Sequence, residues 1–177
     1  VVEAAQHFFG ARVAWLALDA AGAVDVAALQ KQLNMGAYAA VSAMAANNET
    51  GVLNPWQAIA AACRAAGCAY HCDASQWIGK MPLQGLGACA YVTAAAHKFG
   101  GPHGAGFTLF PHASSGFRSL VGGGPEFRQR AGTEDVAGAL AMVAALAASA
   151  SRTAAGRGAL IAAPPAAPPP LAVCPPP

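Results

Sequence analysis

HCDASQ, at residues 71–76, and AHKFGGP, at residues 96–102, are the two segments that decide the fold of this 177-residue chain. Each comes at the end of a run of apolar residues, at 68–72 and at 91–96, as is typical of buried strands in a parallel sheet. In parallel α/β sheets the carboxyl ends of the strands line the edge where ligands bind. The sequence therefore predicts that Asp73 and Lys98 converge at that edge.

An amine and a carboxylate placed in this way are what pyridoxal phosphate requires of a protein. Its aldehyde forms an imine with a lysine, and a carboxylate beside its pyridine nitrogen keeps that nitrogen protonated. Lys98 and Asp73 are the candidates, and Gln76 is placed on the following turn to bond the ring hydroxyl. Taken singly, Asp73 could equally be a turn or helix-capping residue, and Lys98 a solvated loop lysine.

Three further segments occur in order with these two: NNETG at residues 47–51, GGGPE at 122–126 and RAGTE at 130–134. Together the five segments resemble the cysteine desulfurases, which are pyridoxal phosphate enzymes of the class V aminotransferase group and are close to the selenocysteine lyases. The resemblance extends from about Val1 to about Ala148. It implies an α/β fold with a mainly parallel sheet flanked by helices, part of the large domain of the type I pyridoxal phosphate fold.

The resemblance also implies roles for individual residues. Lys98 would be catalytic, and the cofactor would be bound by Asn48, Asp73, Gln76, His97, Lys98 and Thr133. Asn48 would contact the ring oxygen, and Thr133 would reach the phosphate held by a neighbouring subunit, so that a homodimer is expected. One phosphate hydroxyl is absent, because Ala95 stands where the family has serine.

The implied reaction converts L-cysteine, or selenocysteine, to alanine and passes the sulfur to an enzyme thiol. From there it would serve iron-sulfur cluster assembly or another sulfur-acceptor protein in the cytoplasm. Cys174 does not match the family's catalytic cysteine, so we expect a central fragment of a desulfurase that releases no sulfide by itself. A non-catalytic cofactor-binding or partner-binding remnant, or another class V enzyme such as an aminotransferase, are the alternatives. The segments at 47–51 and 122–126 weigh against the aminotransferase.

Composition restricts the possible partners. The chain is 55% hydrophobic and 10% charged, against about 25% charged in ordinary soluble domains. A net charge of +2 gives no reason to expect nucleic acid or membrane partners, and no apolar run reaches the length of a membrane span. The five cysteines follow no disulfide or zinc pattern. Cys68, His71 and Cys72 come nearest to a metal motif, but we predict no metal and small buried thiols instead.

Hydrophobic spacing predicts the remaining elements. Strands are expected at 12–18, 41–46, 68–72, 91–96 and 105–110. Helices are expected at 1–9, after an Asp25 cap, and after Asn54 as cap and Pro55, the last with Trp56, Ile59 and Cys63 on its inner face. A further helix is expected at 134–148, with Thr133 as cap and with Val136, Leu140 and Val143 packed inward.

Composition also predicts two regions, a partial cofactor-binding large domain at 1–148 and a disordered Ala/Pro-rich tail at 149–177, which holds eight of the 13 prolines. A proline-recognition ligand is the alternative interpretation of this tail. The abrupt change near Ser149 would also result from out-of-frame reading of a GC-rich gene.

Overall fold

The computed structural model describes residues 2–110, 120–122 and 129–156, and in these the chain forms a four-stranded sheet accompanied by helices. The strands are β1 (Ala40–Met44), β2 (Ala69–Asp73), β3 (Tyr91–Ala95) and β4 (Gly106–Leu109). They lie in the order β1-β2-β3-β4, with the first two pairs parallel and the last antiparallel. The predicted α/β class and mainly parallel sheet are confirmed.

Four helices accompany the sheet in the described residues: α1 (Val2–Phe9), α2 (Val26–Met35), α3 (Trp56–Ala65) and α4 (Val136–Gly156). The cap predicted for α2 is present, because an Asp25 side-chain oxygen accepts a hydrogen bond from the backbone N–H of Ala28 at 3.0 Å. Leu29 and Leu33, four residues apart on one face of α2, are both buried.

The hydrophobic core lies between the sheet and helices α2 and α3. Helix α3 packs against β1 and β2, and its predicted inner residues Trp56, Ile59 and Cys63 are each no more than 1% exposed. The strands contribute every second residue, for example Tyr70 and Cys72 of β2. One face of the sheet is therefore closed, and the alternate residues face the other side.

Two local predictions were wrong. Residues 12–18 do not form a strand; only an isolated bridge joins Leu18 to Val24, because the chain folds back through a turn in which Asp19 accepts the backbone N–H groups of Ala21 and Ala23. Asn54 does not cap α3. Its side chain instead accepts from the Val24 N–H and donates to the Met44 carbonyl, so that it joins the end of β1 to the segment before α2.

Helix α4 also differs from its prediction. Asp135, rather than Thr133, accepts the N–H of Gly138 in the first turn. Residues predicted to pack inward are exposed, at 62% for Val136, 66% for Leu140 and 59% for Val143, whereas the residues facing the core are Met142, Ala145, Leu146 and the fully buried Ser149. The helix continues to Gly156, eight residues beyond the predicted boundary at Ala148. Residues 157–177 lie outside the described residues, so the predicted disorder there stays a prediction.

The cysteines that the structure describes are buried, as predicted. Cys63, Cys68, Cys72 and Cys89 are buried free cysteines, and burial raises the pKa of the Cys63 thiol to about 11. Cys174 lies outside the described residues. In the described part of the chain, no helix has the length and apolar character needed to cross a membrane.

Candidate functional site

Asp73 is fixed at the edge where the three parallel strands end. Its Cα pairs with that of Met44 in β1 and with that of Thr93 in β3. Beyond the strand, the N–H of Ala45 donates to the carbonyl of Asp73 at 2.8 Å, and the N–H of Ala74 donates to the carbonyl of Thr93 at 2.9 Å. Because its backbone is bonded on both sides, Asp73 has little freedom to move relative to β1 and β3.

The Asp73 carboxylate is oriented by the turn that follows β2. One of its oxygens accepts the backbone N–H of Ser75 at 2.9 Å, an Asx turn of the kind that aspartate favours. Trp77 and Ile78 are buried beyond it and anchor the turn in the core. Gln76 is half-buried on the same turn, three residues after Asp73.

Lys98 follows β3 at the same edge of the sheet. It ends a 3-10 turn, Ala96–Lys98, in which Ala96 is fully buried, while His97 and Lys98 are exposed. The turn is closed tightly, because the N–H of Gly101 donates to the Ala96 carbonyl at 2.9 Å and a Cβ on Gly101 would lie 2.8 Å from the Ala96 Cβ. Only glycine fits at this position, which explains the second glycine of the Gly-Gly-Pro sequence.

The segment at residues 79–80 packs against this turn and bonds to it. Phe99 is 4% exposed, and at Gly79, where φ is +82°, an added Cβ would lie 2.5 Å from the Phe99 Cβ. The Lys80 ammonium donates to the Lys98 carbonyl at 3.1 Å. Partial burial and the charge of Lys98 lower the pKa of Lys80. The lysine that follows β3 thus sits on a rigid support with its side chain in solvent.

A stacked pair of imidazoles occupies the outer side of the same loop. The rings of His97 and His103 lie 4.9 Å apart and are inclined by only 8°. His97 was predicted to bind the cofactor; His103 was not singled out from the sequence, because a pairing of rings across a glycine-rich turn has no signature in residue spacing.

Asn48 follows β1, and its neighbour shapes the loop. The side chain of Asn47 accepts the N–H groups of Glu49 and Thr50, at 2.8 and 3.1 Å. Asn48 is exposed and its amide donates to the Glu49 carboxylate. The loop therefore begins where β1 ends, as predicted, with the Asn48 side chain free of the core.

A cavity of about 790 Å³ lies between the β3–β4 pair and the segment that leads into α4. Its lining includes Ser75, Thr93, Ala95, Arg130 and Glu134. Thr133 is exposed between the last two. Of the GGGPE segment, residues 123–126 lie outside the described residues.

Sequence reasoning missed a row of polar side chains across the sheet. His71 was considered only as a weak metal candidate. In the structure its Nδ1 is 2.8 Å from the Ser42 hydroxyl and its Nε2 is 3.0 Å from the Thr93 hydroxyl. Burial lowers the pKa of His71, and the charge of Asp73 partly opposes that effect. The available signal was the spacing of two from Asp73, which puts both side chains on one face of a strand.

The donor set at this edge fits pyridoxal phosphate. It supplies a carboxylate oriented by the backbone, an amide three residues later, a solvent-exposed primary amine and an imidazole beside that amine. The cofactor requires a carboxylate for its pyridine nitrogen and a lysine amine for its aldehyde, and the amide and the imidazole supply two further polar groups.

Comparison with known proteins is consistent with this geometry. A family model described as aminotransferase class-V matches residues 1–155. The cysteine desulfurase of Klebsiella pneumoniae is 41% identical over 138 residues, which are 77% of this chain and 34% of that protein. The IscS-like cysteine desulfurase of Mycobacterium tuberculosis is 38% identical over 138 residues, 77% of this chain and 35% of that protein.

Solved structures give the same result. A NifS-like protein superposes with a TM-score of 0.75 and 30% identity, over 81% of this chain and 40% of that one. DndA from Streptomyces lividans superposes with a TM-score of 0.75 and 27% identity, over 87% of this chain and 45% of that one. The chain spans about a third of the length of the curated relatives it matches. The prediction of the type I fold is confirmed.

Proposed function

This chain belongs to the class V aminotransferase family, whose members depend on pyridoxal phosphate, and we propose that it supplies the lysine-bearing part of a cysteine desulfurase. The substrate would be L-cysteine, with selenocysteine as the alternative. The products would be alanine and a sulfur atom carried on a thiol, for delivery to an acceptor protein such as one that builds iron-sulfur clusters. A cytoplasmic homodimer without nucleic acid or membrane partners completes the proposal.

One observation carries this proposal, namely the meeting of two strand ends. Asp73 is the register partner of Thr93, and Lys98 follows Thr93 after the last two residues of β3 and one tight turn. The carboxylate and the amine therefore come from adjacent parallel strands at one edge of the sheet. A structural role alone would not call for an exposed amine on such a constrained turn.

Six residues would hold the cofactor in this assignment. Asp73 would bond the pyridine nitrogen, and Gln76 and Asn48 the ring oxygen. His97 would contact the cofactor, and Thr133 would reach the phosphate of a neighbouring subunit. Lys98 would bind the aldehyde carbon covalently. The exposure of Asn48, His97, Lys98 and Thr133 leaves these side chains accessible to a ligand.

Bound pyridoxal phosphate supplies an electron sink for the bonding pair released at the substrate α-carbon. Lys98 would be the group placed to take the α-proton of the substrate as a general base. Asp73 would hold the proton on the pyridine nitrogen, since a carboxylate stabilises a neighbouring cation. The four described cysteines are buried, and burial keeps the Cys63 thiol protonated, so none of them is assigned the attack on the substrate sulfur.

The test of cofactor binding is a titration of the purified chain with pyridoxal phosphate. We expect a visible imine band, and borohydride reduction followed by peptide mass spectrometry should place the adduct on Lys98. Lys98→Ala should abolish the band completely, whereas Lys31→Ala, which removes an exposed lysine from α2, should leave it unchanged. Retention of the band in Lys98→Ala, or an adduct on Lys80, would overturn the assignment.

The burial of the four described thiols favours a second candidate, a protein that binds the cofactor without transferring sulfur. The two candidates differ in one assay. A chain that carries the lysine-bound cofactor and releases no sulfide from cysteine agrees with the second candidate, and sulfide release above that of the Lys98→Ala variant eliminates it.

A further inference from the structure

His71 joins the three parallel strands into one hydrogen-bonded row. Ser42 of β1 is its register partner on one side, and the Ser42 hydroxyl lies 2.8 Å from Nδ1. On the other side, Nε2 lies 3.0 Å from the hydroxyl of Thr93 in β3. Each ring nitrogen thus has a hydroxyl partner, and no other side chain of the described sheet bonds to both neighbouring strands.

The two hydroxyl partners suit a neutral imidazole. A neutral ring carries one N–H and one lone pair, and a hydroxyl can complement either. A charged ring could also donate to both hydroxyls, but its charge would have to be desolvated, since the side chain is half-buried between the strands. The burial that lowers the pKa of His71 acts in the same direction.

The row lies directly before the carboxylate proposed to bond the pyridine nitrogen. His71 and Asp73 are two residues apart on β2, so their side chains project from the same face. Thr93, which His71 bonds, is the register partner of Asp73 itself. His71 therefore fixes the side chain opposite Asp73 and ties β1 and β3 to the strand that carries it.

We propose that His71 is a positioning residue for Asp73. Its imidazole, bonded to Ser42 and Thr93, holds the ends of β1, β2 and β3 in register and leaves the carboxylate of Asp73 without a cationic neighbour on its own strand. The carboxylate thereby stays available to bond the pyridine nitrogen. This inference rests on the proposed function, because it concerns the protonation of the pyridine nitrogen of the bound cofactor.

The experiment uses the purified chain, pyridoxal phosphate labelled with ¹⁵N in the ring, and four variants. His71→Phe keeps a ring of similar size and removes both hydrogen bonds. Thr93→Val and Ser42→Ala each remove one bond, and His71→Gln keeps a neutral group that both donates and accepts. His7→Phe, in α1, is the matched control for loss of an imidazole outside the sheet.

Two quantities are measured: cofactor affinity, and the ¹⁵N shift of the pyridine nitrogen at saturating cofactor. We expect His71→Phe to weaken binding about five- to tenfold, the size expected for one or two lost hydrogen bonds, and to move the shift towards the unprotonated value. Thr93→Val and Ser42→Ala should each have smaller effects in the same direction. His71→Gln should keep the ¹⁵N shift close to that of the unmodified chain, and His7→Phe should match the unmodified chain in both affinity and shift.

The outcomes separate the two levels of the argument. If the unmodified chain forms no imine with Lys98, the proposed function fails. If it does, and His71→Phe lowers the melting temperature of the cofactor-free chain but leaves both affinity and ¹⁵N shift unchanged, His71 is merely structural and the inference is overturned. Should His71→Phe not fold, Thr93→Val decides in the same way, because it removes one hydrogen bond at nearly constant volume.

Discussion

The two faces of strand β2 differ although they are built from alternating residues of one five-residue segment. On one face Tyr70 and Cys72 are 2% and 0% exposed and pack into the core under α3. On the other face His71 and Asp73 are half-buried and make hydrogen bonds to side chains and backbone. Because side chains alternate along a strand, the residues that pack in the core lie on one face of β2 and the candidate site residues lie on the other.

The reason for this separation is the cost of burying polar groups. Removing an apolar side chain from water stabilises the fold by about 25 cal/mol per Å², whereas an unpaired polar group taken into the core costs several kcal/mol. A face that must present a carboxylate to a ligand cannot also be the face that closes the core. Substitutions on the two sides should therefore affect different measurements.

The largest effect on stability is expected from Ile59→Ala in α3. Ile59 is fully buried, and truncating such a residue removes about 2–5 kcal/mol from the free energy of unfolding. Chemical denaturation measures this loss. Val143→Ala in α4 is the control, because Val143 is 59% exposed and should change the free energy by less than about 0.5 kcal/mol. Equal losses at the two positions would show that the Val143 face of α4 is packed as tightly as the core side of α3.

A smaller loss, of about 1–3 kcal/mol, is expected from Asn54→Ala. Asn54 is buried, and its side chain accepts the Val24 N–H at 2.9 Å and donates to the Met44 carbonyl at 2.8 Å. The substitution leaves the Met44 carbonyl at the end of β1 and the Val24 N–H before α2 without these partners. Urea denaturation of this variant is compared with that of Asn34→Ala, an exposed asparagine in α2, which should be neutral or slightly stabilising. A neutral Asn54→Ala would mean that water replaces both bonds.

The sequence was sufficient to predict what depends on local periodicity and on strand ends. The buried runs ending at Asp73 and before Lys98 are strands as predicted, and the Asp25 cap and the inner face of α3 are confirmed. Each of these features is determined within a few residues of chain. The assignment of Lys98, Asp73, Gln76, Asn48, His97 and Thr133 to the cofactor stays a prediction, because it concerns a ligand rather than the fold.

What could not be predicted depends on long-range partners. Asn54 has the residue type and position of a helix cap, but it bonds to groups 30 and 10 residues away. The apolar spacing of α4 is compatible with more than one inner face, since alanine occurs all round the helix, and tertiary contact selects Met142 and Leu146 over Leu140. The role of His71 arises from strand register, which fixes its neighbours across the sheet only after folding.

The smallest expected effect is a dependence of stability on mild acid, and it arises on the polar face. Burial places the folded-state pKa of His71 below its ordinary value of 6.5, so as the pH falls through that value the unfolded chain binds the proton first. The contribution of His71 to the free energy of unfolding is therefore present above the ordinary pKa. It is lost on acidification, until His71 of the folded chain is protonated as well. Urea denaturation at several pH values should show that the free energy of unfolding falls more steeply below pH ~6.5 in the unmodified chain than in His71→Gln, which cannot titrate at this position. An equal fall in both would mean that His71 is as easily protonated in the folded chain as in the unfolded one, and that the polar face tolerates a cation between Ser42 and Thr93.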